Sequence, residues 1–308
     1  MPRQFATTCI QSGIAALLLF TLVVSPAWAQ PSNSFGTVEA TSALYLRSCA
    51  NLHCDIVART TLGDSLEITG DLDNGFYPVR WQGTSGYAYA LYLNTGNGAP
   101  WFVEGTPSCK QVALIFDIGI GYEPSAEILN TLVTTDTPAT MFPMGWWALA
   151  FPDYLHQLDA AGFTIGTHGD QPIFLTEHSI EDVRADIENS TANIESVLGR
   201  DIHEYFTPYA ADSNDQVRGV ASSLGLLPVG WNISANDYGP DATEFDVYHR
   251  IMGNVYPGAI IEMHLDGPAT STSTALALPR IIADLEAMGY EFVSIPNLVI
   301  PCDGVTPS

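Results

Sequence analysis

Val112-Ala113-Leu114-Ile115-Phe116-Asp117-Ile118-Gly119, Ile165-Gly166-Thr167-His168 and Ile260-Ile261-Glu262-Met263-His264 decide how this chain folds. Each is an apolar run that ends on a residue able to act as an acid, a base or a ligand. Buried strands deliver such side chains to the carboxyl edge of a parallel sheet or barrel. Strand side chains alternate between two faces, so Glu262 is expected on the same side as His264, where a carboxylate would raise the histidine's pKa.

Working outward, strand-like and helix-like stretches alternate from Cys109 onward. Residues 112–116, 139–144, 163–166, 227–231, 259–263 and 292–295 read as strands. Residues 124–133, 152–161, 179–198, 215–224 and 274–288 read as helices. The helix at 179–198 has apolar residues at Ile180, Val183, Ile187, Ile194 and Val197, a Ser179 cap with Asp182 three residues on, and Gly199 as its stop. This alternation predicts an α/β architecture built on parallel strands.

Residues 38–94 have a different texture. Short β-type runs at 44–46, 55–58, 65–68, 77–81 and 86–89 are divided by turn signals such as Asp73-Asn74-Gly75 and Gln82-Gly83. They predict a small all-β barrel. Residues 30–37 and 95–108, rich in Gly, Asn, Pro, Ser and Thr, read as linkers.

Residues 1–29 read as a cleaved secretory signal: Arg3, an apolar run from Ile14 to Val24, then Ala27-Trp28-Ala29. The run is shorter than the about 20 residues a bilayer span needs, and no later segment qualifies. A secreted protein without a membrane attachment is expected. The chain has a net charge of −24 and a single lysine, Lys110, which excludes nucleic acid and anionic membranes as partners. With 46% hydrophobic and 14% charged residues it is globular rather than an acidic disordered chain. Cys49, Cys54, Cys109 and Cys302 remain after the leader, and three pairings are possible. We expect Cys49–Cys54 as a local clip and Cys109–Cys302 bracketing the large domain, since an exported chain favours disulfides.

Residues 109–303 resemble the polysaccharide deacetylase (NodB-homology) family. The resemblance rests on the strand ending in Asp117, on Ala139-Thr140-Met141-Phe142 before Gly145-Trp146-Trp147, on Gly162-Phe163-Thr164-Ile165-Gly166-Thr167-His168, and on the ending from Leu278-Pro279 to Gly289-Tyr290-Glu291-Phe292-Val293. It implies a distorted (β/α) barrel that removes acetyl groups from glycans with a divalent metal, zinc or similar. Residues 38–94 resemble a bacterial SH3 domain through Leu44-Tyr45-Leu46-Arg47-Ser48, Leu62-Gly63-Asp64 and the stretch from Phe76 to Tyr87. That resemblance implies contact with cell-wall peptidoglycan.

By the same resemblance, Asp117 stands at the general-base position, His264 at the general-acid position and His168 at a metal-ligand position. Ile118 stands where a second, metal-binding carboxylate is expected, and Pro172 where a second histidine is expected. The Arg-Pro-Pro-Tyr-Gly loop is reduced to Phe206-Thr207-Pro208-Tyr209-Ala210, and Ser234, Asp237 and Tyr238 replace an acidic pair and a Trp. Ile and Pro offer no ligand atom. Asp170, with His178 further along the loop, is a candidate to rebuild the metal site with Asp117 and His168. Trp146, Trp147, Tyr209 and Trp231 are candidates to stack on sugar rings. Three readings follow: a deacetylase with a modified metal site, a non-catalytic glycan or cell-wall binder, and a metal-free hydrolase using Asp117 and His264.

Overall fold

The computed structural model describes residues 34–96, 100–300 and 302. The signal sequence expected at residues 1–29 lies outside these residues. Among the described residues, no helix is long and apolar enough to cross a membrane.

Seven antiparallel strands form the first sheet: β1 (Ser34–Val38), β2 (Tyr45–Arg47), β3 (Ile56–Arg59), β4 (Ser65–Ile68), β5 (Phe76–Trp81), β6 (Thr84–Tyr89) and β7 (Leu93–Asn94). Their order is β3-β2-β6-β5-β4-β1-β7. Val38, Leu44, Leu46, Leu66, Val79 and Ala88 alternate inward to make its core. The β5–β6 hairpin turns at Gln82-Gly83, both with positive φ, as a tight two-residue turn requires. Ser34–Val38, read from sequence mostly as linker, is a strand because it finds Ser65–Ile68 as a partner. Cys49–Cys54 closes a loop with Cα atoms 5.7 Å apart.

The second linker is also partly structured. Phe102 and Glu104 bridge to Val229 and Ala259. The first sheet packs on the large domain through Ala40, Tyr89 and Tyr92 against Leu298 and Val299. Ala40 N donates to Ser222 O at 3.0 Å and the Tyr89 hydroxyl donates to Val299 O at 3.3 Å.

In the large domain, β8 (Gln111–Ile118), α1 (Ala126–Thr134), β9 (Thr140–Pro143), α2 (Gly145–Ala150), α3 (Pro152–Ala160), β10 (Thr164–Ile165), α4 (Ile180–Leu198), β11 (Tyr205–Phe206), α5 (Asp215–Ser223), β12 (Leu227–Pro228), β13 (Ile233–Ser234), α6 (Glu244–Met252), β14 (Ile260–His264), α7 (Thr274–Ala287), β15 (Glu291–Phe292) and α8 (Ile295–Val299) follow in turn. The helix α4 begins on Ser179, whose hydroxyl accepts from Asp182 N, and ends on Gly199 at φ 66°. Helix α6 carries a cap signal at Thr243 and Asp246 that the sequence reading passed over.

Parallel strands run in the order β10-β9-β8-β14-β13, with β15 also on β8, while β11 and β12 form a separate pair. A single bridge, Thr167–Phe206, joins the two groups. Among the described residues the ladders therefore form a six-stranded sheet and a two-stranded sheet. The strand Leu227–Pro228 ends earlier than the reading of 227–231 because Val229 turns to bridge Phe102.

The central strand β8 is buried on both faces, the mark of a parallel strand covered on each side. Val112, Leu114, Phe116 and Ile118 join Ile128, Leu132, Leu278 and Ile281 on the helix side. Ala113 and Ile115 face the other way, toward Phe142, Val229 and Ile260. Cys109–Cys302, with Cα atoms 5.8 Å apart, ties the two ends of this domain and closes a loop of 193 residues. In the chain-entropy model a loop of that length contributes about 5 kcal/mol, against about 2 kcal/mol for the short clip.

Candidate active-site cleft

The parallel pairing of β8 and β14 sets His264 directly opposite Asp117, and Glu262 opposite Ile115. Asp117 shares a face with Ala113 and Ile115; Glu262 and His264 share a face with Ile260. Asp117, Glu262 and His264 therefore converge on the inner face at the carboxyl end of the strands, with Glu262 one pleat deeper. Asp117 and Glu262 are each only 2% exposed.

His264 is held by two carboxylates. Its Nδ1 lies 2.8 Å from Asp237 Oδ1 and 3.1 Å from Glu262 Oε1. Asp237, fully buried, accepts in addition from His264 N at 3.1 Å and from the Thr274 hydroxyl. Burial opposes a charge on His264, but the hydrogen bond to Asp237 and the charges of Glu262, Asp237 and Asp117 outweigh it and push its pKa up to about 10. Burial, followed by the neighbouring Glu262, raises the Asp117 carboxyl well above the usual range, and burial raises Glu262.

His168 has the opposite character. Its Nδ1 lies 3.0 Å from Thr207 O, and a carbonyl only accepts, so Nδ1 carries the proton. Nε2 keeps its lone pair and lies 3.8 Å from Asp117 Oδ2. Burial pushes the pKa down to about 3, so this contact joins a neutral imidazole to a carboxyl group and is no salt bridge. Among the described residues Asp117 Oδ1 has no hydrogen-bond partner.

Asp266 fixes the loop beyond β8. Its carboxylate accepts from Gly119 N at 3.2 Å and from Gly121 N at 2.8 Å. Gly119 has φ 150°, and a Cβ there would meet the Met144 side chain at 2.6 Å. The resulting cleft has a volume of about 480 Å³, with Asp117, His168, Glu262 and His264 in its lining and Tyr209, Trp231 and Tyr238 among its walls. That volume suits a small ligand or one or two sugar rings.

Of the residues singled out from sequence, Asp117, His168, His264, Tyr209 and Trp231 meet in this cleft. Others do not. Trp147 is fully buried among core residues, because consecutive helix positions point 100° apart and only Trp146 remains partly exposed. Trp146 does not line the cleft either; its indole donates to Met144 Sδ at 3.3 Å. Asp170 is turned away, accepting from Asn193 at 2.9 Å and from the Gln171 side chain. His178 and Pro172 are exposed on the loop. The sequence reading missed how much Asp237 and Glu262 do. The period-two pattern of β14 carried the signal for Glu262, whereas Asp237 arrives on a loop that no periodicity announces.

Residues 104–229 match the family model described as polysaccharide deacetylase. The large domain is therefore similar to the polysaccharide deacetylase family over this stretch. The chain is 24% identical over 233 residues to a peptidoglycan-N-acetylglucosamine deacetylase of Bacillus cereus, a match covering 76% of this chain and 79% of that protein. It is 26% identical over 202 residues to a chitooligosaccharide deacetylase of Azorhizobium caulinodans, covering 62% of this chain and 95% of the relative. The fold is also similar to that of a CE4 family pseudoenzyme from Bacillus anthracis, with a TM-score of 0.61, 19% identity, and coverage of 85% and 90% of the two chains.

Proteins of that family are typically metal-dependent, and the cleft holds side chains that could ligate a metal. Asp117, Glu262 and His264 offer ligand atoms within 4.8 Å of one another. However, His264 Nδ1 already serves Asp237 and Glu262. Ile118, at the place of the expected carboxylate, is wholly buried in the helix-side core, and Pro172 is exposed and has no donor atom. Asp117 and the Nε2 of His168 are uncommitted, while the Nε2 of His264 carries a proton as long as that ring is charged. Zinc sites of enzymes use three protein ligands. The residues present do not fit the family's metal.

Proposed function

We propose that this protein binds an amino-sugar glycan in the cleft and does not carry out the metal-assisted deacetylation of its active relatives. One observation carries the reading: Ile118, buried in the core and bordering the cleft, offers no ligand atom beside an otherwise preserved Asp117, so the metal cage is lost while the cleft and its aromatic walls are kept. The relatives named for peptidoglycan N-acetylglucosamine and chitooligosaccharide support a glycan of that class as the ligand. The leader-like residues 1–29 support a secreted protein, and the SH3-like pattern of residues 38–94 supports a second contact with cell-wall peptidoglycan.

A second reading is metal-free hydrolysis of an acetyl ester or amide, with Asp117 as base and His264 as acid. The hydrogen bond that His264 Nδ1 donates to Asp237 favours it. One experiment separates the two. The secreted form is incubated with chito-oligosaccharides and with peptidoglycan fragments, with and without zinc, and both retention and acetate release are measured. Retention without acetate release is expected. Zinc-stimulated acetate release, or no retention of any glycan, would overturn the proposal.

A further inference from the structure

Two acceptors on the inner wall of the cleft, Asp117 Oδ1 and His168 Nε2, have no hydrogen-bond donor among the described residues. Asp117 Oδ1 is unpartnered although the residue is 2% exposed. Beside it, His168 presents a bare Nε2, because its only ring proton is given to Thr207 O. Glu262 adds a further buried carboxylate at the floor, and no Lys or Arg is among the described residues that line the cleft. A buried polar group left unpaired costs on the order of 1–3 kcal/mol, so a ligand that fits must bring donors or positive charge to this wall.

A metal ion answers that description poorly, because only Asp117 and His168 are uncommitted. A protonated amine answers it well. It brings three N–H donors, needs only acceptors at ordinary hydrogen-bond distance, and gains from aromatic faces nearby. Such faces are present: Tyr209 stands 6.1 Å from the His168 ring and Tyr238 5.9 Å from the His264 ring, with Trp231 on the same wall. An N-acetyl group fits less well. It offers one N–H to Asp117 and His168, whose facing atoms are both acceptors, so its carbonyl oxygen finds no partner on these two residues. The chain's net charge of −24 draws cations toward it.

Resting on the reading that the cleft holds an amino-sugar glycan, we propose that the sugar it recognises is a hexosamine with a free ammonium, held by Asp117 and His168, in preference to the N-acetylated form. The chain would then read the product of deacetylation and not its substrate.

Calorimetric titration of the chelator-treated full chain with glucosamine tetramer and with N-acetylglucosamine tetramer tests this. At a pH where the amine is charged, the glucosamine tetramer is expected to bind at least about tenfold more tightly, and to weaken as salt rises, since each 1.4 kcal/mol is a factor of ten and charge pairs are screened. Asp117→Asn, of nearly the same shape, removes that preference, bringing the two tetramers to within about twofold of each other; its thermal unfolding confirms that it folds. Equal or tighter binding of the acetylated tetramer overturns this proposal alone. Binding of neither tetramer overturns it together with the glycan-binding reading. Stoichiometric zinc uptake that is lost in Asp117→Asn assigns the site to a metal and overturns it as well.

Discussion

His168 directs its unprotonated Nε2 at Asp117 Oδ2 from 3.8 Å, while its Nδ1 is fastened to the backbone carbonyl of Thr207 at 3.0 Å. The ring is neutral because it is buried, with a pKa near 3 against 6.5 in the unfolded chain. Below pH 6.5 the unfolded state therefore takes up a proton that the folded state refuses. The stability tied to this ring is fully present above pH 6.5 and is lost as pH falls toward 3. Wild-type protein should lose stability along that limb, and His168→Gln should flatten it. Urea unfolding between pH 7 and pH 4 measures both; an identical acid limb in the variant would contradict the assignment.

His264 titrates in the other direction. Its folded pKa of about 10 means that its contribution is complete below pH 6.5 and disappears as pH rises through 10. Asp237→Asn removes one of the two charges on Nδ1 and should lower that pKa by at least about one unit, a change on the order of 1.4 kcal/mol. The imidazole resonances followed by NMR titration report it directly. An unmoved pKa would show that Glu262 alone holds the proton.

The two lost ligand positions are not equivalent. Ile118 is fully buried in the helix-side core, so Ile118→Asp places a carboxylate among Phe116, Ile128 and Trp147. Burying an unpaired polar group there should cost about 3 kcal/mol or more. Pro172→His changes an exposed loop residue and should leave stability within about 0.5 kcal/mol. Thermal unfolding of the two variants compares them, and a neutral Ile118→Asp would contradict the cost expected of a carboxylate at this buried position.

Ala210 occupies the place where the family's loop motif ends in Gly, and it retains the left-handed backbone that Gly adopts freely, with φ 54° and ψ 26°. An L-residue pays roughly 1–2 kcal/mol there. Ala210→Gly should raise stability by about 0.5–1 kcal/mol once the greater freedom of an unfolded Gly is set against the relief. Chemical denaturation decides the sign.

The sequence disclosed the parts of the site that obey a period. Strands β8 and β14 announced themselves as apolar runs, and the alternation along β14 placed Glu262 beside His264. Trp147 and Asp170 were misjudged because their orientation is set by tertiary partners: a helix packed on the sheet turns Trp147 inward, and Asn193 on α4 takes Asp170. The link from Asp237 to His264 spans 27 residues and depends on how the loop after β13 folds. Short strands such as Tyr205–Phe206 and Ile233–Ser234 have two residues each, too few for any pattern to be visible.

Zinc titration by calorimetry, on protein first stripped with chelator, tests the central claim that the family's metal cage is absent. The account predicts no stoichiometric binding at micromolar zinc, and no difference between wild type and His168→Ala. One zinc bound per chain, abolished by His168→Ala, would contradict it.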